Sequence, residues 1–99
     1  MEFDPIAHAR TRLLPLVHAI TTLLEDEAQP EQTAFFASIR DSIQHARVAT
    51  DLADGLMQLS MSAFLGFRFS APVSLLLDQL LMHAQALSEV LSLEEREIH

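Results

Sequence analysis

Histidine is the side chain through which this sequence could carry out acid–base, metal-binding or phosphoryl chemistry, because the chain contains no cysteine. The five histidines are His8, His18, His45, His83 and His99. No two of them lie three or four residues apart, and neither an HExxH motif nor a Glu-x-x-His pair occurs. Asp41 and His45 have the i, i+4 spacing of half a metal site or half an acid–base pair, although this spacing more commonly marks an exposed contact that stabilises a helix. We therefore predict no metal site, no cofactor and no catalytic residue.

Glycine-dependent catalytic and phosphate-binding motifs are also missing. Gly55 and Gly66 are the two glycines, and they form neither a G-x-S-x-G elbow nor a phosphate loop. Methionine and phenylalanine side chains could line a pocket for an apolar ligand, although such residues more often fill a core. The candidates for this pocket are Met57, Met61, Phe64, Phe67 and Phe69.

Composition indicates one small acidic domain, residues 1–99. The formal net charge is −8, and the 6 basic side chains, all arginine, are too few for a patch that neutralises nucleic-acid phosphates. Acidic residues cluster at 25–27 and 94–97, which is typical of solvated helix ends but also of proteins that mimic DNA or bind a basic protein surface. We expect no nucleic-acid partner.

Neither a membrane span nor a secretory signal is visible. Residues 55–77 carry only Arg68 as a charge, but Gly66 and Pro72 interrupt them, and no run reaches the roughly 18 apolar residues that a membrane helix needs. The opening "MEFDPIAHAR" lacks a basic stretch followed by an apolar one. These features, with the absence of cysteine, predict a cytoplasmic protein without membrane contact.

The elements that would position these residues are helices. A first helix is predicted from Asp4 to Ala28, with Asp4 as N-cap, Pro5 at its first position and a kink near 11–14 caused by Pro15. Its predicted apolar stripe consists of Ile6, Ala9, Leu13, Leu16, Val17, Ile20 and Leu24. After a tight turn, a second helix is predicted from Pro30 to about Ala63, which completes an antiparallel hairpin. The side chains expected to face inward from this second helix are Phe36, Ile39, Ile43, Ala46, Ala53 and Leu56.

The last third of the chain changes pattern twice. In "FRFS", Phe67 and Phe69 alternate with polar residues, as in a short strand, although no second strand is available to pair with it. A third helix is predicted from 71 or 74 to about Glu97, and it is apolar on more than one face. Because exposing a large apolar side chain forgoes about 1.5–3 kcal/mol, we expect a second copy to cover this helix. The predicted fold is therefore all-α: a long antiparallel helical hairpin plus a third apolar helix, forming a helical bundle through homodimerisation.

Several motifs resemble the dimerisation and histidine-phosphotransfer domain of sensor histidine kinases. In that family a proline followed by leucine stands five residues after the phosphoacceptor histidine, and "RTRLLPL" supplies Pro15 and Leu16 here. The stretches "PEQTAFFASIRDSI" and "LADGLMQLS" are similar to the family's second helix, and "FRFSAPVSLLLDQLL" resembles the start of its ATP-binding domain. The resemblance implies a dimeric helical hairpin and a partner in two-component signalling. It covers residues 6 to about 91.

Arg10 stands where the resemblance places the phosphoacceptor histidine. His8 is two residues away and rotated by about 200° around the helix, so it points from a different face. A guanidinium is permanently protonated and only donates hydrogen bonds, so it can bind an aspartyl phosphate or a carboxylate without reacting. The family's ATP-binding boxes are also missing, so the resemblance implies a chain that has lost autophosphorylation. As ordinary surface charges, Arg10 and Arg12 would have no such role.

The expected function is that of a non-enzymatic interaction and dimerisation module that regulates two-component signalling by docking on a histidine kinase or response regulator. The residues predicted to make these contacts are Arg10, Arg12, Leu76, Leu80, Leu87 and Leu91. One alternative is a histidine phosphotransferase that uses His8 or His45 as phosphoryl carrier. Another is a helical bundle that binds a small ligand or cargo in its methionine and phenylalanine cluster.

Overall fold

A computed structural model describes residues 4–61 and 66–97 of the chain. These residues form helices α1 (Pro5–Arg12), α2 (Leu14–Asp26), α3 (Pro30–Gln44), α4 (Ala49–Met61) and α5 (Ala71–Glu97), and no strand occurs among them. The helices pack into a bundle with extents of 46 × 22 × 18 Å. The prediction of an all-α helical bundle is therefore confirmed.

The start and the kink of the first predicted helix are confirmed. The Asp4 carboxylate accepts hydrogen bonds from the backbone N–H groups of Ile6 and Ala7 at 3.1 and 3.2 Å, which caps α1. The helical path is interrupted at Leu13, two residues before Pro15, and continues as α2. Proline has no N–H to donate and its ring crowds the preceding turn, which explains the interruption.

The turn between α2 and α3 is held by a Schellman motif. The Gln29 N–H donates to the Leu24 carbonyl at 3.0 Å, and the Ala28 N–H donates to the Glu25 carbonyl at 3.1 Å. Ala28 has a φ of 56°, the left-handed conformation that this motif requires and that glycine adopts most easily. Pro30 follows at the favoured first position of α3.

Substituting Ala28→Gly is therefore expected to raise the free energy of unfolding by about 1 kcal/mol, because it relieves the left-handed strain of an L side chain. Ala53→Gly is the matched control, since Ala53 is an exposed residue inside α4 and the same change should cost about 1 kcal/mol there. Chemical denaturation measures both changes. A loss of stability in Ala28→Gly would contradict the strain argument.

The second predicted helix is not continuous, which corrects the expectation of one helix from Pro30 to about Ala63. It ends at Gln44, and α4 begins at Ala49. The Asp51 carboxylate accepts hydrogen bonds from the backbone N–H groups of Arg47 and Val48 at 3.0 and 3.4 Å, which stabilises the start of α4. The break lets α4 fold back and pack against α3, so its apolar face joins the core, which a straight helix could not achieve.

The break also changes which side chains face inward. The buried face of α4 includes Leu52, Leu56 and Leu59, whereas Ala53, predicted to face inward, is exposed. The helical period restarts after residues 45–48, so a stripe counted from α3 does not continue into α4.

The core lies between α2 and its neighbours. Helix α2 packs against both α3 and α5, while α4 packs against α3 and α5, and the short α1 contacts all four other helices. The apolar side chains buried in this core are Ala9, Leu13, Val17, Ile20, Leu24, Phe36, Ile39, Ile43, Ala46, Leu52, Leu56, Leu59, Val73, Leu77, Leu80, Ala84 and Leu87.

Candidate functional site

Arg10, the residue at the expected phosphoacceptor position, binds the C-terminal end of α3. One terminal nitrogen of its guanidinium donates hydrogen bonds to the backbone carbonyls of Gln44 at 2.9 Å and Ala46 at 3.0 Å. The last carbonyls of a helix have no partner within the helix and carry its negative dipole end, so a cation is favourable there. Arg10 therefore has a structural role that joins α1 to α3, which the sequence interpretation did not foresee. Arg12 is exposed like Arg10, but its side chain forms no hydrogen bond or ion pair with the described part of the chain.

Arg10→Ala is expected to lower the free energy of unfolding by about 1–2 kcal/mol, because two carbonyls lose a charged donor at a partly solvated site. Arg12→Ala removes the same charge from the same helix and should change stability by no more than about 0.5 kcal/mol. Thermal and urea denaturation of the two variants compare them directly. Equal losses of stability would show that charge alone, not the carbonyl contact, is responsible.

The histidines do not assemble a chemical centre in the described residues. His45 lies at the end of α3, where its Nδ1 is 3.0 Å from the backbone carbonyl oxygen of Asp41. The Asp41 carboxylate instead lies 3.5 Å from the Nε of Arg40. No group of three or more histidine and acidic side chains that could hold a metal ion is found among the described residues. The i, i+4 pair thus has its commoner meaning, a local contact on a helix surface.

Four phenylalanine rings form a closed cluster, which we call the aromatic quartet. Phe35 and Phe36 on α3 pack edge-to-face with each other, at a centroid distance of 5.3 Å. Phe67 contacts Phe35 at 5.6 Å, Phe69 contacts Phe36 at 5.9 Å, and the ring closes between Phe67 and Phe69 at 6.0 Å. Such pairs stabilise packing by about 0.5–1.5 kcal/mol each beyond their burial.

The predicted strand at 67–70 is therefore wrong, although its alternation has a structural meaning. These residues have no regular secondary structure. Phe67 and Phe69 pack on α3 while Arg68 between them is exposed, so the alternation reports a segment lying on a helix rather than a strand in a sheet. The Gln32 side chain donates to the Arg68 carbonyl at 3.1 Å, and the Ser70 hydroxyl donates to the Glu27 carboxylate at 2.6 Å. These contacts fix the chain where α5 begins.

Of the predicted methionine and phenylalanine pocket, the structure describes the side chains of Met57, Phe67 and Phe69. Met57 on α4 is 64% exposed. Phe67 and Phe69 belong to the aromatic quartet and are half-buried. Phe64 and the side chain of Met61 lie outside the described residues.

The third predicted helix is confirmed as α5, but most of its apolar side chains among residues 71–91 are already covered within one chain. Leu80 and Leu87 are buried in the core against the rest of the bundle, so the interpretation of these two residues as surface for a partner does not fit the structure. Leu76 and Leu91 are half-buried. Two other large apolar side chains of α5 point outward: Leu75 is 65% exposed and Met82 is 69% exposed. The surface around Leu75 and Met82 is called the outer face of α5 below.

No family model, no curated protein and no solved structure matches the chain. The likeness to a histidine-kinase dimerisation domain therefore depends on the sequence motifs alone. None of the helices within the described ranges combines the length and apolar composition needed to cross a membrane.

Because no histidine centre occurs among the described residues, the outer face of α5 is the candidate functional surface. The sequence pattern of a helix apolar on more than one face predicts such a surface on α5, but the residues predicted for contact did not include Leu75 and Met82. Their positions follow only from the side of α5 that packs against α2.

Proposed function

We propose that this protein is a non-enzymatic interaction module that pairs with a second copy of itself through the outer face of α5. The observation that supports this proposal is the position of Leu75 and Met82, two large apolar side chains one heptad apart on the solvent side of the same helix. Residues seven apart lie on one face of a helix, so the pair forms a stripe along which a second helix can lie.

The surroundings of these two residues are mixed, because the exposed Gln79 lies between them on the same face and the exposed Glu89 stands one heptad after Met82. Ala86 continues the stripe by one turn, and Leu76 and Val90 are half-buried at its edge. Methionine adapts its shape to different neighbours, which suits a surface that must meet its own copy across a two-fold axis. Because much of α5 is already buried in the monomer, we expect a modest interface and reversible dimerisation rather than an obligate dimer.

The sequence resemblance adds a candidate second partner, a histidine kinase or response regulator of a cytoplasmic two-component system. In this proposal the dimer docks on the partner and no phosphoryl group is transferred. Arg10 is not the docking residue, because its guanidinium is held against the end of α3. The exposed Arg12 side chain, which has no partner in the described part of the chain, could contact a carboxylate or phosphate of the partner.

Met82→Arg tests the proposed dimer. Sedimentation equilibrium across a range of protein concentrations should show the wild type moving toward twice the 11.1 kDa chain mass, and Met82→Arg should weaken dimerisation at least about tenfold, because it places two arginines at the contact. Met57→Arg is the matched control, because Met57 lies on α4 rather than α5 and its exposure of 64% is close to the 69% of Met82.

Two outcomes would overturn the proposed dimer. One is a wild type that stays at the monomer mass at every concentration, and the other is equal weakening by Met57→Arg and Met82→Arg. Adding a response regulator or a histidine kinase to the same measurement tests the second partner by co-sedimentation.

A further inference from the structure

A shallow apolar depression lies at the turn between α2 and α3, away from the outer face of α5. It is lined by Glu25, Ala28, Gln29, Pro30, Thr33 and Ala34 and has a volume of about 610 Å³. Its lining is mostly apolar although its residues are largely exposed, and it is open to solvent on one side. A surface of this shape can accept the apolar side chains of a helix or an extended segment.

The charged residues of the turn segment 25–31 are all acidic. Glu25, Asp26, Glu27 and Glu31 are all exposed around the turn, and none of the four forms an ion pair with the described part of the chain. Glu27 accepts the Ser70 hydroxyl. The Arg68 backbone carbonyl accepts a hydrogen bond from the side chain of Gln32, the residue after Glu31. The Arg68 guanidinium forms no ion pair with these carboxylates.

The position of two of these carboxylates is unfavourable for the isolated chain. Glu25 and Asp26 stand in the last turn of α2, which contains no basic residue. The C-terminal end of a helix carries partial negative charge, so acidic side chains there are destabilising and basic ones are preferred. A cation supplied by another molecule would relieve this repulsion.

We propose that the depression at the α2–α3 turn docks a cationic amphipathic helix of a partner protein. The partner's apolar side chains would enter the depression over Ala28, Pro30 and Ala34, and its arginine or lysine side chains would lie against Glu25 and Asp26. A second copy of this chain is a poor occupant of this acidic turn, because its 6 arginines are spread along the sequence and do not form the cationic face of an amphipathic helix. This proposal does not depend on dimerisation through α5.

The test uses the full chain labelled with ¹⁵N and, as probe, a synthetic amphipathic helical peptide of leucine, alanine and arginine. Amide shift changes are expected to centre on Glu25, Ala28, Thr33 and Ala34. A peptide of the same composition, scrambled so that its apolar residues no longer share a face, should bind at least about tenfold more weakly. The proposal is overturned if the two peptides bind equally or if the shift changes centre on another surface.

Three variants separate binding at the depression from general electrostatic attraction. Ala34→Phe fills the depression without changing charge and should weaken peptide binding about tenfold. The triple variant Glu25→Gln, Asp26→Asn, Glu31→Gln should weaken it at least as much, whereas Asp41→Asn, Asp54→Asn, Asp78→Asn removes the same charge elsewhere and should have a much smaller effect. Equal weakening by the two triple variants, or full binding by Ala34→Phe, would overturn the proposal.

Discussion

Replacing Phe36 with alanine is expected to lower the free energy of unfolding by about 3–5 kcal/mol, the largest effect of a single substitution that we anticipate. Phe36 is fully buried, and its ring contacts both Phe35 and Phe69 in the aromatic quartet. The substitution removes a large apolar side chain and leaves a cavity between α3 and the segment that precedes α5. A domain of this size has a total stability of about 5–15 kcal/mol, so the loss would be a large fraction of it.

Urea denaturation followed by circular dichroism measures the effect of Phe36→Ala. Phe35→Ala is the matched control, because the Phe35 ring belongs to the same quartet but is only half-buried and should lose less stability. Phe36→Leu, which keeps most of the apolar volume, should recover a large part of the loss. If Phe35→Ala were the more destabilising of the two alanine variants, the burial of Phe36 would not be the dominant contribution.

The second large effect is expected from a substitution at Gly55, which lies where α4 packs closely against α3. A Cβ atom at this position would lie 3.3 Å from the Ser42 Cβ and 3.7 Å from the Ile43 Cγ1. Gly55→Leu should therefore force the two helices apart and lower the free energy of unfolding by about 2–3 kcal/mol, even though leucine favours helix more than glycine does.

Ala53→Leu is the matched control for Gly55→Leu, because Ala53 is an exposed residue of the same helix. It should alter stability by no more than about 0.5 kcal/mol. Thermal denaturation of the pair gives the comparison. A Gly55→Leu variant as stable as the control would mean that α3 and α4 do not pack at the distance described here.

The roles of Gly55 and Arg10 could not be predicted from sequence patterns, because both residues contact partners that are distant in the sequence. Arg10 contacts carbonyls 34 and 36 residues away, and Gly55 meets Ser42 across the interface of α3 and α4. Contacts of this range depend on where whole helices lie, which periodicity within one helix does not specify. The proposed contact surface on α5 could not be predicted residue by residue for the same reason, because the side of α5 that stays exposed depends on the side that α2 covers.

The sequence by itself determined the local features of this protein. The N-cap at Asp4, the interruption before Pro15, the start of α3 at Pro30 and the apolar character of α5 follow from side chains acting within a few residues, where backbone geometry and hydrogen bonding are local. Only the tertiary structure decided the break at residues 45–48, where no proline or glycine marks it, because folding α4 onto α3 buries Leu52, Leu56 and Leu59. It also decided that Leu80 and Leu87 are core while Leu75 and Met82 face solvent, since burial depends on which neighbouring helices cover each face.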